Sequence, residues 1–125
     1  MTEIKFDPPE ALTQLVVDEL EALKALEIKV INVQGRTTIT DVMIIATGTS
    51  TRHVKALATA VATKAKEEGI IPLGTEGEQS LEWMLVDLND VVVHVMLQEM
   101  RDFYNLEKLW EVSPESDEDA LAQQQ

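Results

Sequence analysis

The stretch "LEWMLVDLNDVVVHVML", Leu81 to Leu97, restricts the fold more than any other part of the chain. Two runs rich in apolar and β-branched residues flank Asn89-Asp90, a pair suited to a two-residue turn, so the stretch reads as an antiparallel hairpin. Such a turn sets Leu88 opposite Val91, Val86 opposite Val93 and Met84 opposite Val95. Side chains alternate along a strand, so Met84, Val86, Leu88, Val91, Val93, Val95 and Leu97 share one face. That face is wholly apolar and has to be covered. The other collects Trp83, Leu85, Asp87, Val92, His94 and Met96. This mixed pattern leaves two readings open. It is either a lightly covered sheet surface with Asp87 and His94 at its margin, or a recognition surface of the kind in which one aromatic carries much of the binding.

The rest of the chain supplies a cover for the apolar face. "DPPEALTQLVVDELEALKAL" reads as a helix, with Asp7 as N-cap, prolines at its start, and Leu12, Leu15, Val16, Leu20 and Leu23 on one stripe. "IKVINV" is a short strand, "QGRTTIT" a polar turn, and "DVMIIAT" a strand apolar on both faces and so central in a sheet. "GTSTRHVKALATAVATKAKEEG" is a second helix with hydroxyl caps at its start, an inner stripe of Val54, Leu57, Ala58, Val61 and Ala65, and Gly69 at its end. "IIPLGTEG" is a third strand, which Pro72 assigns to an edge or a bulge. After the hairpin, "QEMRDFYNLEKLW" is one last helix or two short ones. The order predicts an α/β (α+β) domain with a mixed sheet of about five strands and flanking helices. Residues 1–112 form one globular domain, and the acidic stretch 113–125 is expected to be disordered.

Charge narrows the partners. Ten basic residues face 23 acidic ones, a net −13. "EVSPESDEDALAQQQ", from Glu111, holds five acids and no base, and without it the body is still −8. Binding to nucleic acid draws on Lys and Arg to displace counterions, so direct reading of a nucleic acid is not expected. On charge alone the acidity reads first as a device for solubility, and a chain of this charge acting on a nucleoprotein particle would dock on a basic protein there. The chain has no cysteine, which removes disulfides and thiolate chemistry. "MTEIKFDPPE" has no apolar run typical of a secretory signal, and the apolar runs are too short to span a bilayer. A cytoplasmic protein without membrane attachment is expected.

Little points to catalysis. Asp87 and His94 sit diagonally on adjacent strands, an arrangement open to general-base work, but Ser80 nearby belongs to no nucleophile motif. Two histidines, His53 and His94, do not make a histidine-rich metal site. "GTSTRH" offers backbone N–H groups and hydroxyls at a helix start, the makings of an anion site, while Arg52 and His53 there oppose the helix dipole. It lacks the Gly and Lys spacing of a phosphate-binding loop, and ordinary capping explains it as well. No cofactor is expected.

"TDVMIIATGTSTRHV", "PLGTEGEQSLEWMLVDLNDVVVHVM" and "FYNLEKLW" together resemble the ribosomal silencing factors, also called the Iojap family. The resemblance runs from about Ile28 to Trp110. It implies a nucleotidyltransferase-like fold without known catalysis, binding to ribosomal protein fourteen of the large subunit, and steric exclusion of the small subunit when nutrients are scarce. It also implies a homodimer in the free state. A protein of that kind needs a patch of aromatic and charged groups shaped to its partner. The candidates are Trp83, Asp87 and His94 on the mixed hairpin face, Tyr104, Leu106 and Trp110 on the last helix, and Glu76 and Glu78 as carboxylates for the partner's cations. Phe103 is expected to anchor the last helix in the core. The competing function is a nucleotide-binding enzyme using "GTSTRH" and Asp87. Asp87 and Asp90 are three apart and face opposite sides of a regular strand, which argues against it.

Overall fold

The computed structural model describes residues 9–33, 35, 40–105 and 108. Among the described residues, three helices and five strands follow in the order α1 (Pro9–Ala22), β1 (Leu26–Asn32), β2 (Val42–Gly48), α2 (Thr51–Glu67), β3 (Gly74–Glu76), β4 (Trp83–Asp87), β5 (Val91–Leu97) and α3 (Gln98–Tyr104). The strands form one mixed sheet in the order β1-β2-β5-β4-β3. The α+β class expected from the sequence is the one observed.

At the centre of the sheet, β2 runs parallel to β5 over seven residue pairs, Val42↔Val91 through Gly48↔Leu97. All other pairings are antiparallel. The hairpin has the register its turn dictates, with Val86↔Val93 and Met84↔Val95 paired and the Leu88 N–H donating to the Val91 carbonyl at 2.9 Å. Both ends of the central strands are tied down. The Asp90 carbonyl accepts from the N–H groups of Asp41 and Val42 at 3.0 Å each, and the Glu82 carbonyl accepts from the Leu97 N–H at 2.9 Å.

Both long helices lie on one face of the sheet. Leu12, Val16 and Leu20 of α1 pack with Val54, Leu57, Ala58, Val61 and Ala65 of α2 onto Val42, Ile44, Ala46, Met84, Val86, Leu88, Val91, Val93 and Val95. These are the stripes that helical spacing and strand alternation select. Ser50 caps α2 by accepting from the His53 N–H at 3.1 Å. Gly48 is required where β2 meets α2, because a Cβ there would lie 2.8 Å from the Val54 Cγ2.

A second, smaller core sits on the opposite face. Ile31, Val33, Ile45 and Met96 form it, with Met43, Trp83 and Met100 packed at its rim. This corrects the expectation of a lightly covered surface: Val92, His94 and Met96 are all buried. A second correction concerns "IIPLGTEG". Only Gly74–Glu76 pairs as a strand, at the sheet edge that Pro72 requires, while Ile71 and Leu73 stay exposed before it. The expected Asp7 cap and the acidic stretch 113–125 lie outside the described residues.

Gly77 fixes where β4 begins. Its φ is +94°, and a Cβ there would collide with the Trp83 carbonyl oxygen. Substitution Gly77→Ala is expected to lower folding stability by roughly 2 kcal/mol or more, through left-handed strain and displacement of Trp83. Urea unfolding followed by Trp emission checks this, and an unchanged midpoint would refute it.

Candidate partner-binding site

Three aromatic rings meet where β4 begins and α3 ends. Trp83 opens β4 and points to the face opposite α1 and α2. Its indole N–H donates to the Nδ1 of His94 at 3.0 Å, the two rings lying 5.9 Å apart. Indole is a donor only, so His94 accepts at Nδ1 and carries its proton on Nε2. Tyr104 leans on Trp83 with ring centroids 4.9 Å apart and planes at 53°. Phe103 meets Tyr104 edge-on, at 4.8 Å and 84°. Tilted and edge-on contacts at such distances are the favourable ones for aromatic quadrupoles.

The rings differ in exposure. Trp83 is half-buried, Tyr104 is 51% exposed and Phe103 is 77% exposed. Phe103 was expected to be the core anchor of α3, and the structure reverses this. In so short a helix the inward positions go to Met100 and Arg101, the latter being 4% exposed. Phe103 therefore projects to solvent. Arg101 had not been singled out from the sequence, since nothing in its spacing distinguishes an inward arginine from a solvated one. Asn105 closes the helix in the left-handed conformation, with its N–H donating to the Arg101 carbonyl at 2.9 Å.

The structure does not bring all the candidate residues together. His94 is buried and holds the indole of Trp83 from behind. Asp87 ends β4, four residues from Trp83 and so about 13 Å away along the strand. Its carboxylate accepts from the Asn89 N–H at 2.9 Å, which fixes the hairpin turn. Glu76 is exposed and pairs with Leu85, which puts it on the Trp83 face at the sheet edge. Glu78 lines a cleft on the other face with Lys55, Thr59 and Lys66 of α2. Leu106 and Trp110 lie outside the described residues. Next to the rings in the chain the exposed charge is acidic: Glu82, Glu99 and Asp102 flank them, while the one base of α3, Arg101, is buried.

The "GTSTRH" turn is occupied by its own chain. His53 Nδ1 accepts from the Thr49 N–H at 2.9 Å, and its Nε2 lies 2.9 Å from the Leu23 carbonyl and donates to it. The imidazole thus joins the end of β2 to the chain just beyond α1, and the Ser50 cap beside it is the ordinary capping that the sequence also allows. Among the described residues, no three His, Asp or Glu side chains converge on a point where a metal could sit. No helix among them is long and apolar enough to cross a membrane.

Comparison with known proteins agrees with this architecture. The family model described as "Ribosomal silencing factor during starvation" matches residues 6–125. A ribosomal silencing factor of Chromobacterium violaceum is 46% identical over 99 residues, covering 79% of this chain and 81% of that one. The mouse "Mitochondrial assembly of ribosomal large subunit protein 1" is 35% identical over 114 residues, covering 87% of this chain and 48% of that one. A crystal structure of a Chromobacterium violaceum protein superposes with a TM-score of 0.81 at 43% identity, covering 90% of this chain and 89% of the other.

Burial lowers the His94 pKa from 6.5 to about 4, because desolvation disfavours the imidazolium. A depressed folded-state value means that the unfolded chain takes up the proton first. The contribution of neutral His94 is therefore complete above pH 6.5 and is lost as the pH falls toward 4. Relative to His94→Gln, the wild type is expected to lose on the order of 3 kcal/mol more stability between pH 7 and pH 4. Urea titrations at several pH values measure the difference, and parallel pH profiles for the two proteins would refute it.

Proposed function

The chain belongs to the ribosomal silencing factor family, and on that premise we propose that it represses translation by occupying the large ribosomal subunit, so that the small subunit cannot join. It acts in the cytoplasm, without catalysis, when nutrients are scarce. The contact is with ribosomal protein fourteen of the large subunit. The observation that carries this reading is the pile of Trp83, Tyr104 and Phe103, partly exposed and set in acidic surroundings.

The physics of such a pile suits a protein partner. Aromatic rings held by one another lose little freedom on binding, and a single one can supply much of the affinity. The carboxylates around them repel a bare phosphate backbone and attract a basic protein surface. Glu76, exposed on the Trp83 face, and Glu82, exposed next to Trp83 in the chain, are carboxylates that would meet a partner's cations, whereas Asp87 and Glu78 stand apart from the indole. Blocking by occupancy requires no reactive group. In the free protein the same exposed rings provide a surface for a homodimer.

Co-sedimentation with purified large subunits tests the reading. Substitution Trp83→Ala is expected to weaken binding by about 30-fold or more, the cost of ~2 kcal/mol at a hot spot. Because Trp83 also borders the smaller core, Phe103→Ala supplies the cleaner variant. It is expected to leave the urea midpoint unchanged and weaken binding by roughly 10-fold. Binding of both variants at the wild-type level would refute the reading.

A further inference from the structure

Arg101 lies inside the protein although nothing in a surface helix demands an arginine there. Helix α3 has seven residues, begins at Leu97 without a side-chain cap, and carries its two aromatics outward. So short a helix has no stability of its own and takes its place from what it is attached to. Met100 supplies an apolar attachment to the smaller core. Arg101 supplies a polar one, its Nη1 donating to the hydroxyl of Thr47 at 2.8 Å. Thr47 is 2% exposed and lies in β2, beside Met96 of β5 and on the same face as Ile45.

We propose that Arg101 is a positioning residue for the aromatic surface: through Thr47 it fixes the placement of α3 on the sheet, and with it the seating of Tyr104 on Trp83. The inference rests on the proposed function for its biological meaning, but its geometry belongs to the free protein. A buried guanidinium is costly unless its donors are satisfied, so its bond tolerates little displacement. The planar fork also has direction, whereas an ammonium is a point charge. Arg101 and Tyr104 are three residues apart, neighbours on a helix surface. A rotation of α3 that broke the Thr47 bond would therefore lift the phenol from the indole. The partner residue is 54 positions away in the chain, so the bond carries information that local helix propensity cannot.

The test uses full-length protein, with Trp110 kept for every measurement of subunit binding and replaced in a Trp110→Phe background for the spectra alone, where Trp83 is then the sole indole. Near-UV circular dichroism of the free protein reports the Trp83–Tyr104 contact. Urea unfolding reports global stability, and dissociation from purified large subunits reports the docking surface. Arg101→Met and Thr47→Val are each expected to remain folded, to lose at least half of the near-UV signal, and to leave the subunit at least tenfold faster. Thr47→Ser, which keeps the hydroxyl, is expected to restore both properties. The double variant Arg101→Met/Thr47→Val is expected to be no worse than the more affected single one, because the two groups share one interaction. A wild-type near-UV signal in Arg101→Met, or additive losses in the double variant, would overturn the proposal. Should Arg101→Met fail to fold, the contrast between Thr47→Val and Thr47→Ser decides it alone. If the parent protein does not bind large subunits at all, the functional reading fails, while the near-UV comparison still judges the role of Arg101.

Discussion

The parallel pairing of β2 with β5 is the constraint on which the remaining structure depends. It brings residues 42–48 beside 91–97 and requires both faces of both strands to be covered. One face is met by α1 and α2. The other is met by a smaller apolar group and by α3, which follows β5 directly. Everything at the candidate site is placed by that second face. Trp83 comes next to Met96 because β4 pairs with β5, and Arg101 comes next to Thr47 because β2 does.

Much of this architecture is legible in the order of residues. The hairpin register follows from the length of one turn, and the buried stripe of α2 follows from 3.6-residue spacing. Both match residue by residue, since periodicity records burial wherever one side of an element is consistently covered. The failures occur where periodicity is silent. "IIPL" has strand composition, yet its link to β4 is the Leu73 N–H on the Asp87 carbonyl at 2.7 Å, ahead of the paired residues, and Ile71 and Leu73 remain exposed. Phe103 is the larger apolar residue and Arg101 the charged one, yet their places are exchanged. A seven-residue helix offers too few positions for a stripe to be read, and the decisive contact of Arg101 is with a strand far off in the chain. The tie made by His53 is hidden for a similar reason: its partners are a backbone N–H and a backbone carbonyl, which carry no residue-type signal.

The candidate surface has a division between what touches and what holds. Trp83, Tyr104 and Phe103 present rings to solvent in increasing order of exposure. His94 and Arg101, each buried, hold the first of these rings and the helix that bears the other two. Each makes a directed hydrogen bond where an apolar residue would supply packing without direction. Buried polar groups of this kind restrict geometry more than they add stability.

The piling of ring on ring bears on the kinetics of any encounter. Phe103 shields one edge of Tyr104, and Tyr104 leans on Trp83, so each ring is partly immobilised before a partner arrives. Little motion remains to be frozen on contact, which favours a long residence time once the rings are seated. The carboxylates nearby act earlier, on the approach, where their long-range pull is weakened by dissolved salt. Capture and retention are thereby entrusted to different residues, and natural variation in one is free to proceed without disturbing the other.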